Sequence, residues 1–168
     1  MAIRDALLSE LDHEFAGTRR TLERVPMDRA TWKPHPKSMA LAALATHLSR
    51  LPQWLEMTLA HPDVDLATAD VQTMRTLAGS REELLAWFDR NLAAGRERLA
   101  AADDAHLLSP WSLRTGEVIH FTMPRVAAVR GFIFNHNIHH RGQLTVYLRL
   151  LDVPVPALYG PSADESGA

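Results

Sequence analysis

Apolar residues recur at three- and four-residue steps in four separate stretches of the chain, and this period predicts amphipathic helices. The first helix is predicted over 2–24, and Pro26 ends it because proline cannot continue a helix. The second is predicted to begin at an N-cap on Ser38 and to run to about Ala60. A kink is expected within it at Pro52.

Two further helices are predicted in the second half of the chain. Ser80 and Glu83 form a capping box, which predicts a third helix that ends near Ala102. The fourth helix follows Pro124 and extends to about Leu151, with apolar residues and histidines on one stripe. Four amphipathic helices on one chain predict an all-α fold, a four-helix bundle.

The segments between and after the predicted helices are expected to be less regular than the helices. Residues 62–79 are expected to form a polar loop, and residues 106–123 a short hairpin or irregular arm before the last helix, with a turn at Gly116. The tail 152–168 is rich in proline and cannot extend the helix, so we expect its apolar first half to pack on the bundle and its end to fray. Neither a repeat nor a linker divides the chain, and we expect one domain over 1–168.

Composition and charge narrow the possible partners. The chain has 168 residues, of which 46% are hydrophobic and 23% charged, as in ordinary globular proteins. Its formal net charge of −2 provides no basic excess, so we expect neither nucleic acid nor an anionic membrane as a partner. The sequence shows no signal-peptide pattern and no apolar run of roughly 18 residues, and a cytoplasmic location is expected.

The residue types available for chemistry are unusual. There is no cysteine, which excludes disulfides, thiolate metal ligands and a cysteine nucleophile, whereas there are nine histidines. Phosphate-binding loops, dinucleotide fingerprints, nucleophile elbows and the H-E-x-x-H motif are all absent from the sequence. Histidine, aspartate and glutamate therefore remain as candidate ligands for a transition metal.

Three histidines are candidate metal ligands. His136 and His140 are four residues apart on the fourth helix, which places both imidazoles on one face. His139 is three residues from His136, so spacing alone does not choose between His139 and His140, although the apolar stripe favours His140. His47 lies on the apolar stripe of the second helix, which turns it toward the core and makes it the candidate third ligand.

Three converging neutral imidazoles would suit zinc, nickel, copper or ferrous iron and would leave a coordination position open. The competing interpretation is a metal-free cluster of buried histidines that hydrogen-bond to their neighbours. The H-x-x-x-H pair in a helix is compatible with both interpretations.

The chain resembles the DinB/YfiT-like superfamily, in its damage-inducible DinB branch. The resemblance rests on HNIHHRGQLTVYLRLLDVPVPALYGPSADE and on the earlier segment KPHPKSMALAALATHLSRLPQW, and it extends from about Leu8 to Glu165. It implies a four-helix bundle of that type that holds a divalent metal on three histidines, one from the second helix and two from the last. Carried over to this sequence, these ligands are His47, His136 and His140.

The resemblance also implies a function. A divalent ion, zinc or nickel and alternatively manganese or iron, would activate a thiol or water in a metal-dependent transferase or hydrolase acting on a small molecule. The implied reactions are transfer of a low-molecular-weight thiol, such as bacillithiol or mycothiol, and thiol-dependent isomerisation of the maleylpyruvate kind. The alternative is a non-enzymatic stress-response protein with a structural metal and a homodimer surface. The homodimer is also an implication of the resemblance.

Several residues are candidates for roles around the three histidines. Glu14, Asn135 and Gln143 are candidates to orient the imidazole rings from outside, and Glu14 would fill the fourth position in a structural site. We expect Arg141 to form a surface ion pair rather than to bind an anionic substrate. Trp54 is expected to pack in the core or at its rim, and the alternative is that it lines a pocket near His47, two turns away.

Overall fold

A computed structural model describes residues 2–68 and 76–166 of the chain. Its helices include α1 (Ile3–Leu22), α2 (Leu41–Arg50), α3 (Gln53–Ala60), α4 (Arg81–Ala101) and α5 (Asp104–Leu108), with a 3₁₀ turn at Met27–Arg29. The last helical stretch joins α6 (Arg125–Ala127), a π-helical segment π1 (Ala128–Phe134) and α7 (Asn135–Leu150). The strands are β1 (Asp63–Asp65), β2 (Pro110–Thr115) and β3 (Val118–Pro124). The fold is mostly helical, with one small sheet.

The start of α2 differs from the prediction that Ser38 caps it. The N-cap is Ala40, which has no side chain able to accept a hydrogen bond. Instead, the backbone N–H of Leu41 donates to the carbonyl of Trp32, and that of Ala42 to the carbonyl of Ala30, both at 2.9 Å. Carbonyls of the preceding loop thus satisfy the first N–H groups, a long-range solution that the local sequence does not reveal.

The predicted kink at Pro52 is present as a break between α2 and α3. Proline has no backbone N–H to donate and disfavours continuation of the helix. Helix α4 packs against α1, α2 and α3. Gly95 of α4 lies at the break, where a β-carbon would come 3.0 Å from Leu55 and 3.1 Å from the Pro52 carbonyl. The small residue therefore permits the close approach of these helices.

The predicted N-cap of α4 is confirmed, because the Ser80 hydroxyl accepts a hydrogen bond from the Glu83 backbone N–H at 3.1 Å. The Glu83 carboxylate accepts from the backbone N–H of Gly79, one residue before the expected partner. Both contacts fix the start of the helix.

The predicted arm before the last helix is a true hairpin, formed by β2 and β3 in antiparallel pairing. The all-α prediction was wrong in one respect, because the hairpin belongs to a three-stranded sheet in which β1 pairs in parallel with β2. Strand β1 lies in the segment that we expected to be a loop. At three residues it is too short for alternation to be visible, and its Asp65 accepts hydrogen bonds from the Gly116 backbone and from Arg114. His106, predicted to begin the arm, lies in α5.

The last helical stretch is as long as predicted but is not uniformly α-helical. The segment π1 has wider turns, which rotate the residues before it relative to those in α7. Apolar spacing did not distinguish this segment from a regular α-helix. Such segments occur frequently at functional sites, and π1 ends directly before Asn135 and His136.

The main core lies between the long helices. The ring of Phe15 on α1 is 6.2 Å from that of Phe88 on α4 and 5.7 Å from that of Phe134 in π1, measured between centroids. A second apolar cluster joins the sheet to the last helical stretch through Trp111 and Ala128, both fully buried. The candidate ligands lie on two helices that contribute residues to the main core, His47 on α2 and His136 and His140 on α7.

The tail packs on the helices as predicted, with Ala157 buried, and hydrogen bonds also hold its later part. The Glu165 carboxylate accepts hydrogen bonds from the Ala157 backbone and from Arg24 of the segment after α1. Part of the predicted loop, residues 69–75, lies outside the described residues. Within 2–68 and 76–166, no helix has both the length and the hydropathy that crossing a membrane requires.

Candidate metal centre

The structure brings His47, His136 and His140 together. His47 projects from α2, and the two others project from the first turns of α7, one turn apart. The centroids of the three rings are 4.6, 4.7 and 4.9 Å apart. Helices α2 and α7 pack directly against each other, so the two parts of the cluster meet where these helices contact.

Ring nitrogens of the three histidines lie close to one another. One nitrogen from each histidine lies within 4.8 Å of the others, and no described Asp or Glu belongs to this cluster. The Nε2 atoms of His47 and His136 are 3.2 Å apart. Two nitrogens bound to one zinc ion at roughly 2.0–2.1 Å with tetrahedral angles would be about 3.3 Å apart. The three-histidine cluster could therefore hold a metal ion, and the donor set suits several divalent transition metals.

Hydrogen bonds orient two of the rings from outside. Nδ1 of His140 lies 2.7 Å from the Gln143 side-chain oxygen. Since that oxygen only accepts, Nδ1 carries the proton and Nε2 keeps its lone pair. The His136 ring is hydrogen-bonded to the backbone of Phe132 while its Nε2 faces His47. This arrangement resembles the outer hydrogen bonds that fix histidine ligands around metals.

The electrostatic surroundings keep the cluster neutral. Burial, followed by the neighbouring His140 and His136 rings, lowers the pKa of His47 to about 4. Burial is also the main cause that lowers the pKa of His136 and of His140, although the hydrogen bonds that their ring N–H groups donate to Phe132 and Gln143 act in the opposite direction. Neutral imidazoles have lone pairs available for a metal near pH 7.

The other residues considered near the three histidines differ in their exposure and in their contacts. His139 is exposed and lies outside the cluster, with its ring centroid 5.0 Å from that of His140. Asn135 is exposed as well. Among the three residues considered for orienting the rings, Gln143 contacts a histidine, whereas the Glu14 carboxylate is bound by Arg141 and Tyr159.

Arg141 does form an ion pair, but the expectation that this pair lies at the surface was wrong. The Arg141 side chain is 3% exposed and that of Glu14 is 9% exposed. The Arg141 guanidinium donates at 2.6 Å both to the Glu14 carboxylate and to the Glu14 backbone carbonyl. The Tyr159 hydroxyl donates to the same carboxylate at 2.7 Å. Gly17 leaves room for this arginine, because a β-carbon there would come within 2.9 Å of its Nη1 atom.

Sequence reasoning missed Phe132 as a neighbour of the site. Its ring centroid is 5.9 Å from that of His136 and 5.3 Å from that of Trp54. Phe132 lies four residues before His136, a spacing that indicated proximity, but Phe132 belongs to π1, whose wide turns made the direction of its side chain unpredictable from the α-helical period.

A pocket of about 290 Å³ adjoins the cluster. His47 and Trp54 both line it, and Trp54 also packs against the core, so both interpretations considered for Trp54 describe it in part. Arg50 also lines it, three residues after His47 and thus on a neighbouring position of the helix surface. That spacing was visible in the sequence, but the pocket itself depends on how α2, α3 and Leu77 come together.

Comparison with known proteins places the chain among DinB proteins. Residues 4–167 match the DinB family. The crystal structure of a DinB-like protein from Bacillus cereus ATCC 10987 matches 94% of this chain and 98% of its own, with a TM-score of 0.73 and 19% identity. A DinB-like protein from Bacillus subtilis, YjoA, matches 89% of this chain and 95% of its own, with a TM-score of 0.66 and 17% identity. At these identities the likeness establishes the fold.

A shorter sequence match also exists. A segment of 34 residues is 47% identical to the uncharacterized protein YrdA of Bacillus subtilis (strain 168). It spans 20% of this chain and 20% of that relative.

Proposed function

The chain belongs to the DinB family, and on that premise we propose that it is a metal-dependent enzyme whose divalent ion is held by His47, His136 and His140. The convergence of one nitrogen from each histidine within 4.8 Å carries this proposal. Three protein ligands are typical of catalytic zinc sites, which keep a further position for water or substrate. Zinc and nickel are the first ions to test, followed by manganese and iron.

Glu14 bears on the choice between a catalytic and a structural site. A structural site is usually closed by a fourth protein ligand, and Glu14 was the candidate for that position. Its carboxylate is instead engaged by Arg141 and Tyr159. This observation favours a catalytic site over one that only fastens α2 to α7.

We propose transfer of a low-molecular-weight thiol to a small electrophile as the reaction. When bound, a divalent ion acts as a Lewis acid and lowers the pKa of a thiol or a water molecule. The chain has no cysteine, so the thiol comes from a soluble cosubstrate. Its sulfur bonds to the electrophilic carbon, the leaving group departs with the bonding electrons, and the thiol proton passes to solvent. The residues of the chain hold the cluster neutral and orient the His140 and His136 rings.

The direct test is a thiol-consumption assay with metal-free protein loaded in parallel with zinc, nickel, manganese or ferrous iron. Bacillithiol and mycothiol are supplied as thiols and monobromobimane as the electrophile, and the uncatalysed rate is subtracted. We expect metal-dependent turnover with at least one ion, and loss of that turnover in His136→Ala. Absence of metal-dependent turnover with every ion would contradict thiol transfer. Loss of helix content on chelation would favour a structural metal instead.

Gln143→Ala should weaken metal binding without abolishing it. The Gln143 oxygen fixes the tautomer of His140, and loss of such outer hydrogen bonds typically lowers metal affinity by about 10–100-fold. Because Gln143 is exposed, we expect a loss of about tenfold, measured by zinc titration calorimetry. Asn135→Ala, an exposed neighbour on the same helix, is the matched control and should leave the affinity unchanged. Equal affinities of the two variants would contradict an orienting role for Gln143.

A further inference from the structure

The pocket beside the cluster follows the face of α2 and α3 that carries His47. Ala43, His47, Arg50 and Trp54 line it, at steps of three and four residues. Its volume of about 290 Å³ is near the lower end of the roughly 300–1,000 Å³ found for small-molecule sites. A ligand that fills it is therefore small.

Apolar side chains form most of the wall. Leu51 lies at the junction of α2 and α3, and Trp54 lies in α3. Met39 and Leu77 enter from the segments before α2 and before α4. Met39 and Leu77 are 39% and 49% exposed, so both present apolar surface to water at this pocket. A ligand with an apolar or aromatic body would remove this surface from water and be stabilised by the burial.

The charge of the pocket comes from Arg50. Among the described residues that line it, Arg50 is the one arginine, and neither a lysine nor a carboxylate accompanies it. The Arg50 guanidinium carbon lies 4.3 Å from the centre of the Trp87 ring, a stacking contact that holds the side chain in place. Glu83 also attracts Arg50 but does not line the pocket. The spacing i, i+3 places this positive group one helical turn from His47.

We infer that this pocket binds the acceptor substrate of the proposed reaction, and that the acceptor is a small apolar or aromatic molecule carrying a carboxylate or a similar anionic group. The anionic group contacts Arg50, and the apolar body lies against Trp54, Leu51 and Leu77. Arginine is suited to such a group because its guanidinium forms paired, charge-assisted hydrogen bonds with carboxylates. As an assignment of substrate class, the inference rests on the proposed function.

The experiment compares two probes that differ in charge but scarcely in shape, 3-phenylpropionate and 3-phenylpropionamide. Binding to metal-free protein is measured by calorimetry and by saturation-transfer NMR, so that the carboxylate cannot bind to a metal ion instead. We expect the carboxylate to bind at least about tenfold more tightly than the amide, which is the lower end of the difference expected from a hydrogen bond to a charged group. Arg50→Gln should remove this preference while weak binding of both probes remains.

Two further variants make the result interpretable. Arg98→Gln removes the same charge from an exposed position of α4 outside the pocket and should leave the preference unchanged. Arg50→Lys keeps the charge and should retain part of the preference even if the glutamine variant proves unstable. Equal binding of the two probes, no binding of either at millimolar concentration, or an unchanged preference in Arg50→Gln would overturn the inference. A carboxylate preference in a protein that fails to bind any metal would leave the pocket assignment standing and refute the proposed function.

Discussion

His136→Ala should lose stoichiometric metal binding, whereas His139→Ala should bind metal as the unaltered protein does. His136 contributes a nitrogen 3.2 Å from that of His47, and its removal leaves two ligands from different helices. His139 is the matched control, because it is the same residue type on the same helix but is exposed and outside the cluster. Metal content after dialysis, determined by elemental analysis of untagged protein, measures the difference.

The same pair of variants should differ in stabilisation by metal. An ion that binds the native state alone, at a free concentration of about 1,000 times its dissociation constant, stabilises the protein by about 4 kcal/mol. For a chain of this size, that corresponds to a rise in melting temperature of about 8–16 °C. We expect this rise in the unaltered protein and in His139→Ala, and none in His136→Ala. The helix content of His136→Ala without metal should be largely unchanged. Metal retained by His136→Ala, or lost by His139→Ala, would contradict the ligand assignment.

Arg141→Met should cost about 3–5 kcal/mol in the free energy of unfolding. The variant leaves the Glu14 carboxylate buried without its cation, and an uncompensated buried charge is strongly destabilising. The melting temperature should fall by about 6–20 °C. Thermal unfolding followed by circular dichroism, together with urea titration, measures the change.

Arg149→Met is the matched control for this substitution. Arg149 pairs with Asp164 at the surface, where its side chain is 49% exposed, and such pairs contribute about 0–1 kcal/mol. The double variant Glu14→Leu with Arg141→Met should be more stable than Arg141→Met alone, because it removes the unpaired charge. An Arg141→Met variant no less stable than Arg149→Met would show that Glu14 does not depend on its ion pair.

The sequence predicted the parts of the fold that depend on local periodicity. Apolar spacing revealed the long helices, and Ser80 and Pro52 marked a helix start and a helix break because their effects act within one turn. The predicted start of α2 was wrong because the first N–H groups of this helix donate to carbonyls about ten residues away. Strand β1 was missed for a similar reason, since its pairing partner lies about 49 residues further along the chain.

The candidate site was predictable to a similar extent. Helical spacing brought His136 and His140 to one face, and the apolar stripe turned His47 inward. What lies around them depends on packing between helices, which explains why Arg141 was expected at the surface although its position beside Gly17 buries it. Gln143 was one of three plausible neighbours of the rings, and spacing alone could not separate it from Asn135.

The segment π1 separates two tasks within one continuous helical stretch. Its first residue, Ala128, packs beside Trp111 of the sheet, whereas the residues after it carry His136 and His140 toward α2. Conversion of π1 to regular α-helical turns at unchanged length would increase the rotation per residue and so change the angle between the two parts. The wide turns therefore set the direction in which the histidine-bearing surface faces relative to the end of the stretch that packs on the sheet.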